Sequence, residues 1–195
     1  MALEGQMVQL FSMLGHDYDI PIGLELDSGN NDLTEYRLKL DDGTLPELLD
    51  QFVSQNPKYD WFIENGVVNI FPRASHRDPF LAEILSLRLK SFAVNKGTSS
   101  WKLEELLFTS AEIKAVLDAR GIESAGSIAN FSGGYIPQLG RDFSLNLSGS
   151  TAKEILNHVV RESPLARLWV VSRVRPDGPL RITVSSRHQT AARND

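Results

Sequence analysis

Ser150-Thr151-Ala152-Lys153 is the string in this chain that comes nearest to a catalytic motif. It fits the S-x-x-K pattern of serine acyl-transferases, whose nucleophile sits at a helix start. A helix cap accounts for the same residues, and an equivalent cap near Thr44 lacks the lysine, so the cap reading is preferred. Asp27, Asn30, Asn31, Asp32 and Glu35 form an acidic loop, but Gly29 and Leu38 fall at the wrong positions for a calcium loop of the EF-hand type. His16, His76, His158 and His188 are scattered without ligand spacing. Ser132-Gly133-Gly134 lacks the lysine of a phosphate loop. Phe131, Tyr135 and Ile136 around it form one candidate contact patch. Arg161, Arg167, Arg173, Arg175, Arg181 and Arg187 bias the last third toward positive charge. Arg173 and Arg175, with Arg181, could line one face of a hairpin, forming a second patch that allows a nucleic-acid alternative. No cofactor and no metal are expected, and the chain reads as non-enzymatic.

These residues need a scaffold, and 195 residues with 42% apolar content suffice for two small packed domains. The absence of cysteine excludes disulfides, thiolate zinc sites and a cysteine nucleophile, and leaves the compartment open. No stretch approaches the roughly 20 apolar residues that cross a bilayer. The start Met1-Ala2-Leu3-Glu4 lacks the basic and apolar regions of a secretion signal. The expected location is therefore periplasmic if a signal peptide has been removed, and cytoplasmic otherwise. The net charge of −5 is unevenly spread: residues 1–80 carry five basic and fourteen acidic side chains, and the remainder fifteen and eleven. The two parts thus hold −9 and +4, a split that suits head-to-tail contact or two unrelated solvated faces.

Sliding the chain along itself from residue 36 to residue 143 exposes an internal repeat. Tyr36-Arg37-Leu38-Lys39-Leu40 falls on Phe143-Ser144-Leu145-Asn146-Leu147, both alternating as half-buried strands do. Thr44-Leu45-Pro46-Glu47 falls on Thr151-Ala152-Lys153-Glu154, each a T-x-x-E helix start. Leu45, Leu48, Leu49 and Phe52 match Ala152, Ile155, Leu156 and Val159, the apolar stripe of a helix on a sheet. Pro57 and Pro164 end both helices. Trp61 and Trp169 then open hairpins that turn at Asn65-Gly66 and at Pro176-Asp177-Gly178. Upstream, two more apolar stripes end at Gly15 and Gly121.

The fold class expected is α+β: two tandem units, each with about two helices on a small mixed sheet that ends in a hairpin. The first unit covers 1–73, a linker 74–80, the second and divergent unit 81–185, and a disordered tail 186–195. The second unit gains a strand over Ile84 to Val94, a helix over Ser99 to Leu107, and a third T-x-x-E start at Thr109-Ser110-Ala111-Glu112.

Helix, short strand, loop, alternating strand, capped helix and a Trp-led hairpin ending in Gly66-Val67-Val68-Asn69-Ile70 resemble the short N-terminal domain of secretins and TonB-dependent receptors. Leu3 to Pro72 covers most of that pattern, and Ile84 to Val184 is similar but more divergent. The resemblance implies a docking module without catalytic residues, which contacts bacterial envelope proteins or copies of itself. Exposed sheet edges are the expected docking sites, because unpaired strands offer backbone donors and acceptors. A nucleic-acid module and a small serine hydrolase or transferase are the alternatives, with nucleic acid the less favoured partner.

Overall fold

The computed structural model describes residues 2–27, 34–39, 43–123, 138–173, 175 and 178–186. In chain order these form β1 (Ala2–Gln6), α1 (Met7–Asp17), β2 (Ile22–Glu25), β3 (Glu35–Lys39), α2 (Leu45–Gln55), β4 (Tyr59–Glu64) and β5 (Val67–Pro72). Then follow α3 (Pro79–Ser86), β6 (Arg88–Leu89), β7 (Phe92–Val94), α4 (Ser100–Thr109), α5 (Ala111–Arg120) and β8 (Leu145–Leu147). The last elements are β9 (Ser150–Thr151), α6 (Ala152–Glu162), β10 (Ala166–Arg173) and β11 (Leu180–Ser186).

Local signals place most of these. The helices α2 and α6 are eleven residues each and begin at their T-x-x-E boxes. The Thr151 N–H donates to Glu154 Oε2 at 2.7 Å and the Glu154 N–H returns to Thr151 Oγ1 at 3.2 Å. The Thr151 N–H bond holds the Glu154 carboxyl below its ordinary pKa. In α2, the Thr44 N–H and hydroxyl both donate to Glu47 Oε2, at 2.6 and 3.1 Å. The third box does not form. Thr109 completes α4, its hydroxyl donating back to Glu105 O at 2.8 Å, so Ser110 caps α5. Glu112 instead accepts the Lys90 N–H at 3.1 Å. Gly121 ends α5 in the left-handed conformation, whereas Gly15 lies inside α1.

The strand expected over Ile84 to Val94 is partly helical. Asp78 accepts the Phe80 N–H at 2.8 Å and Pro79 opens α3, so residues that read as linker are a helix cap. Phe80, Leu81, Ile84 and Leu85 form its buried face, and strand begins only at Arg88.

The main sheet has five strands in the order β11-β10-β2-β5-β4. Its hairpins β4-β5 and β10-β11 are antiparallel, and both join β2 in parallel, through Ile22↔Val68 on one side and Leu168↔Ile22 on the other. The expectation that each unit builds a sheet of its own is thereby corrected: the two hairpins flank a shared central strand. The reason is that β2 is buried along its whole length and needs partners on both edges and cover on both faces. On one face Ile22, Leu24, Val68, Ile70 and Leu168 pack with α1 and α2. On the other, Val67, Trp169 and Val171 pack with α3 to α6. Small antiparallel pairs, β1-β3, β7-β8 and β6-β9, complete the structure. Among the described residues no helix is long and apolar enough to cross a membrane.

The outer edge of β11 is closed by α4. Glu104, 2% exposed, accepts the outward Val184 N–H at 3.0 Å. Replacing Glu104 by Leu strands that N–H, and should cost about 1.5–3 kcal/mol in urea unfolding, whereas Gln, which keeps an acceptor, should cost clearly less. Equal losses in the two variants would show that the bond contributes nothing.

Candidate docking edge and the pocket beside it

The opposite edge of the sheet is β4, and its register follows from its turn. Asn65 and Gly66 have φ of 51° and 78°, the paired positive values of a two-residue hairpin loop, so Glu64 and Val67 close the ladder. Backbone groups of Glu64, Phe62 and Asp60 therefore point to β5, and those of Tyr59, Trp61 and Ile63 point outward. The Tyr59 N–H reaches Asn56 O at 3.1 Å, and its carbonyl accepts Arg73 Nε–H at 3.2 Å. The Trp61 N–H folds onto Asp60 Oδ1 at 2.9 Å. Among the described residues no partner meets the Trp61 carbonyl or either backbone group of Ile63, a residue 49% exposed.

Side chains alternate across this edge. Trp61 and Ile63 share one face, where the Trp61 indole N–H donates to Asp50 Oδ1 at 3.0 Å. Asp60, Phe62 and Glu64 share the other, an aromatic ring between two carboxylates. Asp60 lies 3.7 Å from Arg73 Nε, and Glu64 lies 3.2 Å from Lys153 Nζ. That ammonium also covers the Phe62 ring, 4.3 Å from its centroid.

Phe62 leads into a pocket of about 240 Å³ between the sheet, the segment after β5 and α6, whose lining includes Glu25, Phe71, Arg77, Lys153 and Trp169. Glu25, 2% exposed, accepts both Arg77 Nε–H and Nη2–H at 2.8 Å. That bond raises the Arg77 pKa above its ordinary value, against the opposing effect of partial burial. Below, a chain of amides satisfies the polar atoms of the floor. The Trp169 indole N–H donates to Asn157 Oδ1 at 2.8 Å, Asn157 Nδ2 to Asn69 Oδ1 at 3.1 Å, and Asn69 Nδ2 to Val67 O at 3.0 Å. The pocket is smaller than the roughly 300–1,000 Å³ of drug-sized sites.

The candidate residues from the sequence fall elsewhere. Phe131, Tyr135 and Ile136 lie outside the described residues, as do residues 187–195 of the tail. Arg173 is 6% exposed: it donates to Gly178 O at 3.1 Å, pairs with Asp78 at 3.4 Å and covers the Phe80 ring at 4.7 Å. It thus joins the hairpin to the cap of α3, which corrects its reading as part of a surface patch. Arg175 is exposed. Arg181 is exposed too, but it pairs with Ser172 while Arg173 pairs with Leu180, so Arg173 and Arg181 lie on opposite faces. Lys153 of the S-x-x-K string is engaged with Glu64 and Phe62. His16 contacts Ser185, and His158 contacts Glu162 and Arg161. Sequence reasoning missed Glu25 and Arg77, which are distant in the chain and carry no motif.

The chain matches no family model, no curated protein and no solved structure.

Proposed function

We propose that this chain is a non-catalytic docking module that takes an extended segment of another protein as an added strand along β4, within a bacterial envelope assembly or signalling system. One observation carries the reading: the sheet has one edge closed by α4 and Glu104, and another that offers Ile63 backbone groups beside half-exposed apolar side chains. The element order from Leu3 to Pro72 supports the likeness to secretin and TonB-receptor N-terminal domains. The correspondence of α2 with α6, and of β4-β5 with β10-β11, supports an origin by duplication with a junction near 74–80. The nucleic-acid alternative is weakened by the burial of Arg173.

A photo-crosslinking residue placed at Ile63, and another at Arg181 as a control on β11, tests the reading in the source cell. Adducts with an envelope protein are expected from position 63 and not from 181, and they should vanish when Trp61 is replaced by Lys, which guards the edge. Adducts from 181 alone, or from neither position, overturn it. Adducts at 63 with cytoplasmic proteins only would leave the docking edge standing and remove the envelope role.

A further inference from the structure

The chemistry of the incoming strand is written on β4, and this step rests on the docking reading above. An added strand sets each of its side chains opposite one on β4, on the same face. From residue 60 to 64 the strand reads Asp60, Trp61, Phe62, Ile63, Glu64, with both carboxylates on the Phe62 face. We infer that the partner segment is basic–apolar–apolar–apolar–basic, with Lys or Arg opposite Asp60 and Glu64 and apolar side chains opposite Trp61, Phe62 and Ile63. The pattern is the same read in either direction, so it suits a parallel or an antiparallel strand.

Three features of the molecule support that charge choice. The Asp60 and Glu64 side chains are 48% and 49% exposed, and each touches one cation at an edge, which leaves acceptor capacity on both carboxylates. The first eighty residues carry −9, a field that draws a basic segment toward this end of the sheet. A second copy of the chain fits less well. Antiparallel pairing of β4 with itself that brings Trp61 against Ile63 sets Asp60 against Glu64 twice, and β11, which carries Arg181, has its outer edge under α4.

The test titrates the isotope-labelled full chain with two blocked heptapeptides, Thr-Lys-Val-Val-Val-Lys-Thr and its analogue with Glu for both Lys, and reads the Trp61 and Ile63 amide resonances. The Lys peptide should shift these amides and bind on the order of tenfold more tightly than the Glu peptide. The double variant D60K/E64K should reverse the preference. The milder D60N/E64Q, which keeps an oxygen acceptor for the Trp61 N–H, should erase it. Equal affinity of both peptides for the unmodified chain overturns the charge inference and leaves strand docking intact. Silence of the β4 amides with both peptides at millimolar concentration overturns the docking reading itself. A dimer in sedimentation that D60K/E64K alters, with no peptide response, assigns the edge to a second copy and also overturns the inference.

Discussion

Replacing Gly23 by Ala should destabilise the fold by about 3 kcal/mol or more, at the upper end for overpacked cores. A Cβ on Gly23 would stand 2.3 and 2.4 Å from two carbons of the Trp169 ring and 2.7 Å from its nitrogen. The ring is held in place, because Trp169 is 2% exposed and its N–H is bound by Asn157. The strain would fall where β10 joins β2, the junction that makes one sheet of two hairpins. Urea unfolding checks it, with a lowered midpoint and an unchanged slope expected. A double-mutant cycle with Trp169→Leu makes the test specific, because in that background the added methyl group meets space, and the Gly23→Ala penalty should drop by at least about 1 kcal/mol. The same penalty in both backgrounds would mean that β10 does not pack on β2 as described. A penalty below about 0.5 kcal/mol, the range of an ordinary surface substitution, would favour two units folded on separate sheets.

That experiment also marks the limit of what could be read from the chain. Caps and tight turns are local, so the T-x-x-E boxes at Thr44 and Thr151 and the Asn65-Gly66 turn announce themselves, and alternation over Tyr36 and Leu38 identifies β3 and its buried side. The pairing of Leu168 with Ile22 joins residues from opposite ends of the chain, and its one sequence trace, a glycine facing a tryptophan, is not a recognisable motif. Because strand order is not written locally, neither is the identity of the edges, and the sequence alone does not tell β4 from β11 as the open one. Arg173 shows the same limit in the site. Its spacing from Arg175 and Arg181 suggested a shared solvent face, but α3 brings Asp78 and Phe80 over it. A helix that began in an apparent linker was the missing piece.

The buried ion pair beside the β4 edge should give the second large effect. Replacing Arg77 by Ala leaves the Glu25 carboxylate, 2% exposed, without its two charge-assisted bonds, and a buried charge deprived of its partner typically costs about 3–5 kcal/mol. Replacing Glu25 by Gln should cost less, because the Arg77 side chain is 36% exposed and water can solvate it. The double variant E25L/R77M should recover most of the loss, since apolar residues of similar size often substitute for buried pairs without penalty. A variant that keeps the stem separates this cause from simple loss of packing. Arg77→Met leaves the Glu25 carboxylate equally without its partner, and should cost nearly as much as Arg77→Ala. Recovery in that single variant would assign the loss to the Arg77 stem and its contact with Phe71, 5.9 Å from the guanidinium carbon. A deficit under about 1 kcal/mol, far below the usual cost of an orphaned buried charge, would mean that water reaches the carboxylate through the pocket, which would make Glu25 itself accessible to a ligand there.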